Sequence, residues 1–415
     1  MNTPKIRFRG FTDDWEQRKF DELVNEIREK TKSENEDTLL SCAIDGMYLN
    51  SELFSHFRGS SNIGYLKVKK NDLILSVQNL HLGNCNVNLR FEHGIISPAY
   101  KVYELVDCNP LFIQAWVKQD STKDFFLKAS TEGASVCRKN IVWEELYEQT
   151  VSVPEIKEQE KIGYYFRSLD HLITLHQRKC DETKQLKKFM LQKMFPKNGE
   201  KNPEIRFEGF TDDWEQRKLG ALMEDGIILE QSDGNHGELY PRSEEFVNEG
   251  IPYIAASSIS SDGERIDFNL TKYLSMERAI QFRKGVAKNG DVLLAHNATV
   301  GPSVMLSMDY EFAILSTSLT LYRLDKEKMS PMFFLQAIRS GYFQKQLEVF
   351  MKQTTRSQVP ILTQRNLQIF YPINKVEQER IGEFLSNLDH LITLHQRKCE
   401  KLKELKKFML QNMFV

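Results

Sequence analysis

The sequence predicts an α+β fold in which two long antiparallel helices form a coiled coil and separate two globular domains, as a pseudo-two-fold, pseudo-circular repeat. Three observations lead to this prediction. Two blocks of sequence recur almost unchanged. The second block has the apolar spacing of a long helix. The segments between the blocks differ, yet each is long enough to bury a core of its own.

The repeats define the boundaries of the chain's parts. Residues 4–20 match residues 203–219 at 14 of 17 positions, and residues 168–195 match residues 387–414 at 22 of 28. These repeated segments, here called frames, enclose dissimilar inserts. A structural array would repeat its core as well as its frames. The predicted parts are a repeated frame segment (1–20), a first globular domain (21–152), a central long helix (153–196), a linker with the second frame segment (197–219), a second globular domain (220–371) and a C-terminal long helix (372–415).

Each frame ends in a predicted long helix. From Glu155 the apolar residues recur at three- and four-residue steps until Pro196 and Gly199, and the second copy runs from about Val376 to Met413. A helix of this length cannot bury its apolar stripe alone, so the two are expected to pair. If the units are related by a pseudo-two-fold axis, the helices run antiparallel. The chain termini then lie within about 28 Å of each other, the reach of eight extended residues.

Composition excludes several classes of protein. Lys and Arg number 56 against 58 Asp and Glu, so the net charge of −2 gives no global sign of nucleic-acid binding. No apolar run is long enough for a membrane span and Met1 to Arg9 contain no secretory signal, so we expect a cytoplasmic protein without membrane contact. The six Cys form no C-x-x-C pair, which predicts free thiols and no metal site.

Polar loop clusters in both variable regions are candidates for contact with bases. Asn and Gln suit adenine and Arg suits guanine, because each offers a bidentate hydrogen-bonding edge. The alternative is that they are ordinary solvated loops. The candidates are Ser76, Gln78, Asn79, Ser135, Arg138, Lys139 and Asn140 in the first region, and His296, Asn297, Thr299, Thr355, Arg356, Ser357 and Gln358 in the second. Helical stretches are predicted at Pro110–Lys128 and Pro331–Lys352.

Catalytic signatures are absent from the sequence. It contains no phosphate-binding G-x-x-x-x-G-K-[ST] loop and no G-x-G-x-x-G after a strand. The repeated acidic pair at Asp13-Asp14 lacks the continuation of a metal-dependent nuclease. We therefore interpret this frame segment as a folded one, in which Trp15 or its copy Trp214 packs and Thr12 or Asp13 caps a short helix.

The chain closely resembles the DNA-specificity subunit of type I restriction–modification enzymes. The resemblance lies in the PxIRFxGFTDDWEQRKL segment, the EQxxIG approach to the helix and the LDHLITLHQRKxxxLKxLKKFMLQxMF helix. It implies that each variable region is a target-recognition domain for one half of a bipartite asymmetric site in double-stranded DNA. The helices then set the gap between the half-sites.

The resemblance also implies partners and a division of labour. The chain would be non-catalytic and hold no cofactor. Two methyltransferase subunits would dock on the frames with S-adenosylmethionine, and two restriction subunits could join with ATP and Mg. Helix-seam or methyltransferase-docking residues would be Leu169, Leu172, Ile173, Leu388, Leu391 and Ile392, with Trp15 and Trp214 open between docking and packing.

Two other classes of function remain as alternatives. A stand-alone DNA-binding regulator with two heads would bind specific DNA without a partner. A coiled-coil adaptor with protein-binding heads would show no salt-dependent DNA binding. Neither accounts as directly for constant frames around divergent inserts.

Overall fold

The chain divides into two compact units. The computed structural model describes residues 3–55, 61–135, 138–260, 263–352 and 357–415, without the side chains of residues 132–135, 138 and 238. Unit 1 comprises residues 1–177 and 396–415, and unit 2 comprises residues 178–395. Both contain helices and sheets, which agrees with the predicted α+β class.

Unit 1 is built from the first frame segment, the first variable region and parts of both long helices. Its strands are β1 (Glu16–Lys19), β2 (Val24–Ile27), β3 (Leu40–Ala43), β4 (Gly46–Leu49), β5 (Leu66–Lys69), β6 (Leu73–Ser76), β7 (Cys85–Val87), β8 (His93–Ile96), β9 (Tyr100–Leu105), β10 (Ser130–Ser135), β11 (Arg138–Ile141) and β12 (Thr150–Val153). Its helices are α1 (Phe20–Leu23), α2 (Asn50–Leu53), α3 (Pro110–Trp116), α4 (Asp120–Lys128), α5 (Trp143–Glu148) and the first part of α6 (Ile156–Lys193).

Unit 2 repeats this plan around the second variable region. Its strands are β13 (Glu215–Lys218), β14 (Ile228–Asp233), β15 (Phe246–Val247), β16 (Ile251–Ile254), β17 (Lys272–Leu274), β18 (Val286–Ala287), β19 (Val292–Asn297), β20 (Thr299–Met305), β21 (Ala313–Leu315), β22 (Leu319–Leu324) and β23 (Gln368–Tyr371). Its helices are α7 (Leu219–Glu224), α8 (Met276–Ala279), α9 (Pro331–Arg339), α10 (Gly341–Lys352), α11 (Ile361–Gln364) and the first part of α12 (Lys375–Asn412).

Each variable region contains its own sheet, and the two sheets have the same strand order despite the dissimilar sequences. Unit 1 has a four-stranded antiparallel sheet in the order β2-β9-β6-β7, and unit 2 has the corresponding order β14-β22-β19-β20. One short likeness in sequence has a structural cause. Asp72 accepts a hydrogen bond from the Lys69 backbone N–H at 2.6 Å, and Asp291 accepts one from Lys288 at 2.8 Å. Both carboxylates fix the turn into the central strand.

The frame closes each variable region with a pair of strands. β1 pairs with β12 in unit 1, and β13 pairs with β23 in unit 2, both antiparallel. Each variable region therefore begins and ends at neighbouring backbone positions, which makes it a separable insert.

The long helices run antiparallel in both units, as predicted. In unit 1 the Cys399 thiol lies 4.0 Å from the Ile173 carbonyl, and Lys406 Nζ lies 2.5 Å from an Asp170 oxygen. In unit 2 the equivalent contacts are Cys180 to the Ile392 carbonyl at 3.9 Å and the ion pair of Lys187 with Asp389.

The predicted closeness of the termini is confirmed within unit 1. The backbone N–H of Ile6 donates to the carbonyl of Asn412 at 2.8 Å. Its repeat equivalent in unit 2 joins Ile205 N–H to the Lys193 carbonyl at 2.9 Å. In unit 2 this hydrogen bond joins two segments that are close in sequence. In unit 1 the equivalent bond joins the N-terminal and C-terminal segments.

A glycine in each long helix allows the variable region to pack directly on it. A Cβ at Gly163 would lie 2.6 Å from Leu111 Cβ, and one at Gly382 would lie 2.7 Å from the Phe333 backbone nitrogen. The start of α3 or α9 thus rests on the helix backbone. The frame needs glycine at this position in both copies.

The helical stretches predicted after Pro110 and Pro331 are confirmed, each as two helices. In the second, Ser340 is extended and its hydroxyl accepts from the Phe343 N–H at 3.4 Å, which starts a new helix at Gly341. The short helix predicted to be capped by Thr12 or Asp13 was wrong, because no helix begins at those residues. Those residues precede β1, whose backbone groups are used by pairing with β12.

Candidate functional site

The two polar clusters predicted in the first variable region lie side by side. One is the loop after β6, and the other is the β10–β11 hairpin. The backbone N–H of Lys139 donates to the carbonyl of Gln78 at 3.1 Å, which joins them. The side chains of Gln78 and Asn140 are exposed, and those of Asn79 and Lys139 are half-buried. Residues with amide and ammonium side chains are thus neighbours in the fold.

The second variable region joins its two clusters in the same way. The tip of the β19–β20 hairpin carries Ala298, whose positive φ of 65° lets the chain turn tightly. Ala298 N–H donates to the Ser357 carbonyl at 3.0 Å, and Val359 N–H donates to the His296 carbonyl at 2.9 Å. Thr299 and Ser357 are exposed, while Asn297 and Gln358 are half-buried.

Two predicted base-contacting side chains are instead structural. Ser76 is 5% exposed, and its hydroxyl accepts from the Asn79 N–H at 3.2 Å, so it fixes the loop. His296 is 2% exposed and hydrogen-bonds Thr320 at 2.9 Å through Nδ1. Burial lowers the pKa of His296, which favours the neutral ring. Their place in polar segments suggested exposure, but both side chains are buried.

The remaining candidates of these clusters lie partly or wholly outside the described residues. Ser135 and Arg138 are the end residues of β10 and β11 that face each other across the hairpin, and only their backbone is described. Thr355 and Arg356 lie outside the described residues. For these four positions the assignment stays a prediction.

The helix residues separate into seam and surface. Leu169, Leu388 and Ile392 are buried and Ile173 is half-buried, as expected for a seam. Leu172 and its copy Leu391 are 39% and 41% exposed, so they do not belong to it.

The frame tryptophans are packing residues. Trp15 lies against Phe112 and Phe414, with ring centroids 5.9 and 6.1 Å away. Trp214 is likewise buried and donates through Nε1 to Glu377 at 3.2 Å. Because both side chains are buried, they are not part of an exposed docking surface. Of the two roles that the sequence left open, docking and packing, the structure supports packing.

A largely half-buried charge network in unit 2 was not predicted. Lys187 pairs with Asp389 across the helices and with Glu264 of the variable region at 3.0 Å, and Arg339 pairs with Glu264 at 2.7 Å and with Asp389 at 3.0 Å. Burial opposes ionisation, but Arg339 and Lys187 outweigh it and lower the pKa of Glu264. The sequence contained one signal for this network, because Lys187 and Asp389 recur in the frame as Lys406 and Asp170.

No candidate metal or membrane site appears in the part of the chain that the structure describes. It contains no group of three His, Cys, Asp or Glu side chains placed to hold a metal ion. None of its helices is long and apolar enough to cross a membrane.

Comparison with known proteins shows what this chain is similar to. Residues 211–404 match the type I restriction modification DNA specificity domain. The chain is 22% identical over 410 residues to the type I restriction enzyme MjaVIII specificity subunit of Methanocaldococcus jannaschii, covering 95% of this chain and 91% of that one. It is 24% identical to the putative MjaX specificity subunit of the same organism, over 49% of this chain and 46% of that one.

A solved structure shares the fold along the whole chain. The S subunit of a type I restriction-modification system from M. genitalium matches with a TM-score of 0.64 and 14% identity, covering 100% of this chain and 99% of that one. At this identity the match establishes the fold. Together with the repeated frames and the sequence matches, it makes the chain similar, in sequence and in fold, to the specificity subunits of type I restriction–modification systems.

Proposed function

We propose that each variable region reads one half of a bipartite, asymmetric site in double-stranded DNA. The observation that carries this proposal is the joined pair of polar loops in each region, fixed by Lys139 N–H to Gln78 in unit 1 and Ala298 N–H to Ser357 in unit 2. A rigid surface that presents amide groups suits the edges of bases in the major groove. Since the two surfaces differ in residues, they would read different half-sites.

The paired helices would set the gap between the half-sites. Two readers held at a fixed spacing gain avidity only where the DNA offers the same spacing. The chain would therefore discriminate by gap length as well as by base sequence.

The chemistry would belong to partner subunits. Methyltransferase subunits would carry S-adenosylmethionine and act on adenine, and restriction subunits would supply ATP and Mg. The chain itself would be non-catalytic, and its cytoplasmic location would follow from genomic DNA as the target.

Exposed apolar residues on the long helices support two docking sites for methyltransferase. The same three helix positions are exposed in both copies, so each unit carries one apolar set. These sets are Leu172, Leu405 and Phe408 in unit 1, and Leu391, Leu186 and Phe189 in unit 2. Apolar side chains left exposed at equivalent positions on two long helices are typical of a surface that a partner covers.

Variants of the loop clusters test the assignment of half-sites. Gln78→Ala should relax one half of the methylated site, and Asn297→Ala should relax the other, because each removes one amide edge. The expected loss of discrimination is roughly 1–3 kcal/mol at one base pair. Methylation-sensitive sequencing of DNA treated with each variant and its methyltransferase measures it. A loss spread equally over both half-sites would contradict the assignment.

A second prediction concerns the docking surface. Phe408→Ser should weaken one of two methyltransferase sites about tenfold or more, since a buried Phe contributes roughly 1.5–3 kcal/mol. Phe189→Ser should weaken the other site, and the double variant should weaken both. Sedimentation of the mixed subunits gives the stoichiometry. Gln185→Ser and Glu404→Ser, exposed on the same helices, are controls that should keep two subunits bound.

A further inference from the structure

Unit 1 contains a lysine-rich cleft beside its part of the helix pair. The cleft has a volume of about 690 Å³ and is lined by Lys118 after α3, by lysines of α12 and by Asp45 and Asp170. The lysines of α12 are Lys403, Lys406 and Lys407. Nothing in the recognition of DNA by the loop clusters uses these residues.

The same constellation exists in unit 2, built from equivalent residues. Lys118 Nζ donates to the carbonyls of Ile44 and Cys85 at 2.7 and 2.9 Å. Arg339 Nη2 donates in the same way to the carbonyls of Gly263 and Ser303, at 2.9 and 2.7 Å. The frame pair Lys406–Asp170 likewise corresponds to Lys187–Asp389.

The two constellations differ in one carboxylate. In unit 2 Glu264, which follows Gly263, lies between Lys187 and Arg339 at 3.0 and 2.7 Å. In unit 1 the residue after Ile44 is Asp45, one methylene shorter. Its carboxylate is exposed and accepts from the Tyr48 hydroxyl at 2.9 Å.

The shorter acid leaves the cations of unit 1 incompletely paired. Among the described residues, Lys406 has an ion pair with Asp170, and neither Lys118 nor Lys406 has one with Asp45. The position that a carboxylate fills in unit 2 is therefore part of the cleft in unit 1.

We propose that this cleft binds a carboxylate presented by a partner protein, an Asp or Glu side chain seated between Lys118 and Lys406. The bound group would stand where Glu264 stands in unit 2. The identity of the partner rests on the proposed function, which supplies a subunit that docks on the long helices.

The charges of the cleft favour a single carboxylate over a nucleic-acid backbone. Asp45, Asp120 and Asp170 line the cleft together with the four lysines. Three carboxylates would oppose a run of phosphates, whereas one carboxylate can pair with the cations between them. The occupant in unit 2 is itself a carboxylate.

The test uses the full chain and a fluorescein-labelled, C-terminally amidated Gly-Ser peptide that carries a single Glu, at low salt, followed by fluorescence anisotropy. We expect one bound peptide per chain. Lys406→Gln should weaken binding about tenfold, the size expected for one charge-assisted hydrogen bond. Lys401→Gln removes the same charge from an exposed position of the same helix and should change binding less than about twofold.

Asp45→Glu is the sharper variant, because it changes no charge. The longer side chain should reach the cations as Glu264 does and exclude the peptide, so that affinity again falls about tenfold. The midpoint temperature of thermal unfolding should be at least as high as that of the parent protein. The proposal would be overturned if Asp45→Glu left the peptide affinity unchanged. It would also be overturned if Lys401→Gln weakened binding as much as Lys406→Gln.

Competition separates the possible sources of the anion. Inorganic phosphate and a short DNA duplex should compete poorly with the peptide. Displacement of the peptide by either at a lower concentration than the unlabelled single-Glu peptide would overturn the proposal in favour of a phosphate site. The assay uses neither methyltransferase nor methylated DNA, so its failure leaves the proposed recognition of DNA untouched.

Discussion

Replacing residues 220–371 with the corresponding region of a similar specificity subunit will change one half of the methylated site and leave the other half and the gap unchanged. The insert is separable because its ends are neighbours, with Leu219 N–H donating to the Leu367 carbonyl at 2.9 Å. Unit 1 keeps its own loop clusters, and the helices that would set the gap stay in place.

The donor region should preserve an acid and a cation at the positions of Glu264 and Arg339. Without them Lys187 and Asp389 of the frame would lose their half-buried partners, and the resulting folding defect would imitate a loss of recognition. Sequencing of methylated genomic DNA reads both half-sites and the gap together. A change in both half-sites, or in the gap, would show that the variable regions do not read independently.

Glu264→Gln will destabilise unit 2 by about 3 kcal/mol, because it leaves Lys187 and Arg339 sharing one half-buried carboxylate, Asp389. The side chains of this network are 10–16% exposed, so solvent compensates little. Differential scanning calorimetry and hydrogen exchange of residues in unit 2 measure the loss. Asp45→Asn changes the equivalent but exposed position in unit 1 and should cost less than about 0.5 kcal/mol. Equal effects of the two variants would contradict the assigned role of Glu264.

The pH dependence of this contribution has a defined sign. The pKa of Glu264 is lower in the folded chain than its ordinary value, because of Arg339 and Lys187. Its stabilisation is therefore complete above the unfolded pKa and is lost as pH falls through the folded pKa. In the Glu264→Gln variant, the free energy of unfolding should lack this part of its decrease at low pH.

The frames were predictable because their signals are local or repeated. Apolar spacing located both long helices, with bounds that differ from Ile156–Lys193 and Lys375–Asn412 by a few residues at most. The pseudo-two-fold relation predicted that the chain termini lie close together, and a hydrogen bond joins Ile6 to Asn412. Exposure of Leu172 could not be predicted, since the apolar stripe is wider than the seam that buries it.

The variable regions were harder to predict because their contacts are long-range. The adjacency of the Gln78 loop and the Lys139 hairpin depends on a sheet whose neighbours are distant in sequence. Burial of His296 depends on Thr320 in another strand. The partnership of Glu264 with Lys187 joins a variable residue to a frame residue, so neither region alone indicated it.

The measurement that tests the central claim most directly is methylation-sensitive sequencing of a genomic library treated with this chain and its cognate methyltransferase subunit. The proposed function predicts a bipartite adenine-methylated motif with a constant gap, seen only when both proteins are present. The same motif with the methyltransferase alone, a single contiguous motif, or no motif from an assembled complex would contradict it.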